Sequence, residues 1–235
     1  MEVSFLYAPI CPFAQRTWIL LKKLKVPFKE VLIELGKDNK EPWFLELNPL
    51  GKVPVLRVRE KAEASEKEAV IYESLVCNEY LNEVFAENKL LPQHPAQRAL
   101  ARILATRVDD LVSAMFKLLK TNPEEDAQAE KEILQEIHKQ LQVIDDQVKI
   151  SQGPYLFGKT WTLADIAYIP FVERVSIIMS HFFKKDIREL GLRHLNLWLD
   201  TWEKDVEYLE TKLPLDKLLP VYKKYANEGL LKRLE

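Results

Sequence analysis

The chain is poor in cysteine and glycine, has no long apolar run, and carries no excess of one charge. Two cysteines in 235 residues, Cys11 and Cys77, are too few for a disulfide framework. A reducing compartment, the cytoplasm, is therefore expected, and each cysteine matters for its reactivity. Six glycines point to a helix-rich chain with few tight turns. No uninterrupted apolar stretch approaches the ~20 residues of a membrane span. The opening Met-Glu-Val-Ser-Phe lacks the basic and apolar regions of a secretory signal, so no role in the membrane is expected. Lys and Arg number 34 against 36 Asp and Glu, a net charge of −2; this excludes a whole-chain pull toward nucleic acid. His94, His138, His181 and His194 lack metal-ligand spacing, and no metal is expected. Neither a phosphate-binding glycine loop nor a hydrolase nucleophile elbow occurs.

What is present is the balance of a globular protein, 47% hydrophobic and 30% charged, with length for one or two domains. Residues 1–86 alternate in type. Strands are predicted at 3–7, 28–33, 54–59 and 67–72, and helices at 12–24, 41–47 and 73–86. The order β-α-β-α-β-β-α implies helices against a mixed sheet. The last two strands make a hairpin through an unusually charged loop, Glu60 to Lys67. Residues 87–94 read as a linker. From 95 to 235 the pattern is helical throughout, with helices predicted at 95–120, 124–150, from near Thr162, and over about 192–211. The second of these has Asn122 as its expected N-cap, Pro123 at the first position and Glu125 three after the cap. The tail, 215–235, is expected to be helical in part.

The informative stretch is Tyr7-Ala8-Pro9-Ile10-Cys11-Pro12-Phe13-Ala14-Gln15-Arg16. It places a cysteine between a strand and a helix, directly before a proline at the first helical position. The N–H groups and dipole of a helix start favour an anion, so a thiol there is expected to ionise at ~3.5–7.5. The gain in attack is only a few-fold, because nucleophilicity falls as acidity rises; the larger benefit is as a leaving group. No second cysteine lies three residues on, so a second small thiol must release any mixed disulfide. The competing reading is an inert buried cysteine near a helix start. Cys77, inside a helical pattern, reads as a small core residue.

These residues resemble the glutathione transferase superfamily, in its cysteine-type, omega-like class. Lambda-like and dehydroascorbate-reductase-like relatives share the signature. The resemblance covers nearly the whole chain and rests on several blocks. They are Cys11-Pro12-Phe13-Ala14-Gln15-Arg16; Asn39-Lys40 with Trp43-Phe44; Asn48-Pro49 with Gly51 and Val53-Pro54-Val55-Leu56; and Tyr72-Glu73-Ser74. It implies a thioredoxin-like α+β domain followed by an all-α domain that contributes the acceptor pocket. It also implies glutathione as co-substrate and a homodimer. Cys11 is then the catalytic thiol, with Phe13 beside it. Pro54 is cis, and the Val53 backbone pairs with the cysteinyl part of glutathione as an added strand does. Glu73 and Ser74 take the γ-glutamyl end, and Lys40 faces the glycyl carboxylate. For Pro54, Glu73, Ser74, Lys40 and Phe13 the plain alternatives are a strand-entry proline, an acidic helix start, a surface lysine and a core aromatic.

Trp161-Thr162-Leu163-Ala164-Asp165-Ile166 resembles the family's folding motif. Thr162 caps a helix, Asp165 reaches back as its capping-box partner, and Trp161 staples against Ile166. Phe171 and Arg174 fall in a segment that resembles the border of the acceptor pocket; helix packing and a salt bridge are their alternatives. The charged loop is longer than the resemblance leads one to expect.

Three functions follow. The first is thiol transfer or reduction, including deglutathionylation and dehydroascorbate reduction, through a mixed disulfide of Cys11 with glutathione. Its partners are a small electrophile, a disulfide or a glutathionylated protein. The second is S-conjugation, with the Tyr7 hydroxyl stabilising the glutathione thiolate. The third is a non-catalytic ligand-binding or chloride-channel-like protein.

Overall fold

The computed structural model describes residues 1–62, 65–122 and 124–234, with side chains except at 60–62 and 65–67. The chain forms two compact units, Met1–Leu90 and Leu91–Glu235.

In the first unit the elements run β1 (Glu2–Tyr7), α1 (Pro12–Lys23), β2 (Phe28–Leu32), α2 (Pro42–Leu47), β3 (Val55–Ala62), β4 (Ser65–Tyr72) and α3 (Ser74–Ala86). The sheet order is β2-β1-β3-β4. β1 pairs parallel with β2 and antiparallel with β3, and β3 pairs antiparallel with β4. The central strands are the apolar ones. Phe5 and Leu6 of β1 and Val55, Leu56 and Val58 of β3 are buried on both faces, as a strand flanked on each side requires. α1 packs on α3, so the two helices whose first residues matter most lie side by side.

The hairpin differs from expectation. Strand pairing continues through Glu60↔Lys67, Lys61↔Glu66 and Ala62↔Ser65, so most of the predicted loop is ladder. Ladder hydrogen bonds belong to the backbone, and charged residues supply them as well as apolar ones. The period-two apolar signal stops before the pairing does. Glu63 and Ala64, the centre of that loop, lie outside the described residues.

The second unit holds α4 (Pro95–Lys120), α5 (Ala127–Ser151), α6 (Leu163–Phe183), α7 (Arg193–Trp202), α8 (Val206–Leu209), α9 (Leu215–Lys223) and α10 (Glu228–Lys232). α4 packs on α5 and α6, and α5 on α7. α6 is long and apolar enough to cross a membrane, but it is mostly buried as the core helix of this unit.

Two helix boundaries depart from the sequence reading. α5 starts at Ala127, where the Asp126 carboxylate accepts from the Ala129 N–H at 2.8 Å. Asn122 instead closes a preceding turn, its side-chain oxygen accepting from the Glu124 N–H at 3.1 Å; Pro123 lies outside the described residues. The single helix expected over 192–211 is two, because Asp205 caps a new start by accepting from the Tyr208 N–H at 2.9 Å. In both places a carboxylate at an N-cap outcompetes helix propagation.

Buried carboxylates organise this unit. Thr162 and Asp165 form the expected capping box. Asp165, fully buried, accepts from the Thr162 N–H and hydroxyl at 2.8 Å each. It also accepts from the Leu156 N–H and the Trp198 indole at 2.9 Å each. One side chain thus ties the α6 start to the preceding loop and to α7. Asp145 of α5 accepts from the His194 and Leu195 N–H groups at 2.6 and 2.9 Å, capping α7, whose own N-cap residue is Leu192. Replacing Asp165 by Ala leaves four buried donors unpaired, each costing roughly 1–3 kcal/mol. The Asp165→Ala variant is expected to lose about 3 kcal/mol or more of unfolding free energy in urea titration; an unchanged midpoint would contradict this role.

Candidate functional site: a thiol at a helix start

Cys11 is the N-cap residue of α1, with extended backbone (φ −82, ψ 117), and Pro12 takes the first helical position. Proline suits that place because its missing N–H has no intrahelical partner there. The turn is closed by the Cys11 N–H on the Ala8 carbonyl at 2.9 Å, and the Cys11 carbonyl accepts from the Gln15 N–H at 3.0 Å. The thiol is half-buried, and its Sγ lies 3.9 Å from the Val53 carbonyl oxygen, a long, weak contact. The Val53–Pro54 peptide is cis.

A cavity of about 390 Å³ opens at this thiol. Cys11 and Phe13 line one side, the segment through Gly51, Lys52, Val53 and Pro54 a second, and Glu73 and Ser74 a third. All lie in the first unit. The structure therefore brings together Cys11, Phe13, Val53, Pro54, Glu73 and Ser74, residues up to 63 positions apart in sequence. It does not bring Lys40 with them. Lys40 is exposed and off the lining, and Lys52 is the lysine at the cavity.

Two asparagines hold the second side. Asn39 donates its side-chain N–H to the Gly51 carbonyl at 2.7 Å, and its side-chain oxygen accepts from the Gly36 N–H at 2.6 Å. Asn48 donates to the Lys52 carbonyl at 2.7 Å and accepts from the Leu50 N–H at 3.1 Å. Gly51 has φ +60, and a Cβ there would sit 2.9 Å from the Asn39 carbonyl oxygen. Conformation and close approach both demand glycine.

The third side is strained. Glu73 has φ +68 and ψ 114, sparsely populated for a non-glycine residue and costing of order 1–3 kcal/mol. It directly precedes Ser74, the first residue of α3. The starts of α1 and α3 thus both face one cavity, and two helix N-termini favour an anionic ligand. Behind them lies Arg16, which sequence reasoning left as part of a motif. It is 2% exposed, donates to the Ser74 hydroxyl at 3.1 Å, and sits 5.3 Å from the Phe13 ring centre. A lone arginine in a helical pattern gives no signal of burial; only the α1–α3 packing reveals it.

The remaining candidates are elsewhere. Tyr7 is buried off the cavity, stacked on Phe5 at 4.4 Å, and donates its hydroxyl to Glu30 at 3.2 Å. Burial and then the Glu30 charge push its ionisation well above the ordinary tyrosine value. Phe171 and Arg174 are both fully buried in α6, Arg174 paired with Glu173, so helix packing and an ion pair account for them. Cys77 is sealed in the core, donating to the Ile71 carbonyl at 3.5 Å, and burial pushes its thiol up to about 12. Among the described residues no three His, Cys, Asp or Glu side chains gather as metal ligands.

A four-stranded sheet with a half-buried thiol at the first helix start, followed by an all-helical unit, defines the glutathione transferase fold class. Residues 10–84 match the model of the glutathione S-transferase N-terminal domain, and residues 125–201 that of the C-terminal domain. Glutathione S-transferase L3 of Arabidopsis thaliana is 33% identical over 218 residues, 92% of this chain and 84% of that protein. Glutathione S-transferase omega-1 of Rattus norvegicus is 27% identical over 200 residues, 83% and 74% of the two. The crystal structure of glutathione transferase Omega 3C from Trametes versicolor superposes with a TM-score of 0.75 at 26% identity, covering 95% of this chain and 91% of that one. The chain belongs to the glutathione S-transferase family.

The two thiols are expected to react very differently. A thiol raised to about 12 stays protonated through pH 9, and a sealed one excludes reagent. Iodoacetamide at pH 7 to 9 should add once, at Cys11, and not to the Cys11→Ser variant. Alkylation of Cys77 in the folded protein would overturn this assignment.

Proposed function

We propose that the protein is a glutathione-dependent thiol transferase that works through a mixed disulfide between Cys11 and glutathione. The observation that carries the reading is the Cys11 thiol opening on a cavity flanked by two helix starts. In deglutathionylation, the Cys11 thiolate attacks the glutathione sulfur of a mixed disulfide and the substrate leaves as its thiolate. A second glutathione thiolate then attacks the bound glutathione sulfur. Oxidised glutathione leaves and the Cys11 thiolate returns, with two electrons delivered to the substrate. A helix start lowers the cost of the thiolate both before attack and on departure. Dehydroascorbate, a two-electron acceptor, fits the same cycle.

Glutathione carries two carboxylates and one ammonium. In this reading the α3 N–H groups and Ser74 take the γ-glutamyl carboxylate, Glu73 its ammonium, and the Val53 backbone the cysteinyl amide. Lys52, rather than Lys40, takes the glycyl carboxylate, because Lys52 is the lysine on the cavity. The Tyr7 hydroxyl, donated to Glu30 and off the cavity, does not suit S-conjugation. The proposal includes a homodimer and a cytoplasmic setting that supplies reduced glutathione.

The test is transfer from a glutathionylated peptide. Cys11→Ala is expected to lower the rate by about 100-fold or more, and Tyr7→Phe to change it by no more than about twofold. Most activity surviving in Cys11→Ala would reject the reading. Lys52→Ala should raise KM for glutathione about fivefold with little change in kcat, as expected for lost uniform binding, and Lys40→Ala should leave it unchanged. The reverse order would return the glycyl carboxylate to Lys40.

A further inference from the structure

The helical unit contains a second cavity, about 310 Å³, on the face of α6 that carries Ile169, Glu173 and Ile177. Its walls are mostly apolar, including Leu199 and Trp202 of α7. Its polar floor is a buried carboxylate. Glu173 is 8% exposed, and its oxygens meet Arg174 on one side and the Lys212 ammonium, at 3.3 Å, on the other. The Tyr208 hydroxyl also bonds to Glu173.

Lys212 enters this cavity differently from its neighbours. Its side chain is 36% exposed, so the stem crosses from solvent while the ammonium sits inside. The ammonium lies 5.4 Å from the centre of the Tyr208 ring. Trp202, which lines the same cavity, meets Tyr208 edge to face at 5.8 Å. A carboxylate beside an aromatic face is the chemistry that recognises an organic cation. The other charges close the case against an anion. Arg188 is held by Asp200 at 2.8 Å and Glu203 at 2.7 Å, and Arg174 by Glu173. Apart from Lys212, three carboxylates therefore face two guanidinium groups. An ion pair with one exposed, flexible partner is weakly held, so Lys212 can leave for solvent at small cost.

We propose that this cavity binds a small organic cation, a primary amine on an apolar body, and that Lys212 occupies the cation position as a built-in competitor. The ammonium of the ligand replaces that of Lys212 between Glu173 and Tyr208, and its apolar part fills the space against Ile177, Leu199 and Trp202. The site lies wholly in the second unit and owes nothing to Cys11.

The experiment is calorimetric titration of the full chain with 2-phenylethylamine and with its neutral isostere 2-phenylethanol. Lys212→Met, a change at an exposed position, should tighten amine binding by about tenfold or more over the wild type, since a desolvated cation–carboxylate contact then has no competitor. Lys212→Arg should stay near the wild type. The alcohol should gain little from Lys212→Met, because it brings no charge. Equal amine affinity in wild type and Lys212→Met, no amine binding to either, or an equal gain for the alcohol would each overturn the proposal.

Discussion

The site depends on keeping the backbone around Val53 opposite the start of α1. A thiol at a helix end is of use only where a ligand can be held across it, and the opposing segment has no regular secondary structure of its own. Asn39 and Asn48 supply what a strand or helix would otherwise give. Each satisfies backbone groups of residues 48–52 with its side chain, and Gly51 allows the close approach that Asn39 needs. Unsatisfied backbone in a partly buried loop would cost about as much as a lost hydrogen bond per group. The cavity wall is rigid because its polar groups are accounted for internally.

On the other side, Arg16 does for the helices what the asparagines do for the loop. It joins the α1 start to the α3 start through Ser74 and lies against Phe13. The strained Glu73 backbone is tolerated because β4 and α3 fix it from both sides. Strain at such a point belongs to a position whose orientation toward the cavity is worth more than its local comfort.

Much of this was legible in the sequence. The element order of the first unit, the thiol at the helix start and the Thr162–Asp165 cap follow from local patterns, namely periodicity, a proline at the first helical position and a capping box. Other features are decided by tertiary contact and left no such trace. Lys40 and Lys52 are equivalent as surface lysines until the loop is folded. Phe171 and Arg174 stand in a helical pattern that gives no direction, and the fold turns both inward. The break between α7 and α8 rests on one aspartate, Asp205, whose capping strength exceeds that of a continuing helical pattern. The hairpin extends through charged residues because backbone pairing does not need the apolar alternation that marks a strand.

The central claim, that Cys11 alone carries exchange with glutathione, is tested most directly by intact mass after incubation with oxidised glutathione. The account predicts one glutathione on the wild type, released by added reductant, and none on Cys11→Ser. An adduct that persists in Cys11→Ser, or a wild type that takes up none, would contradict it.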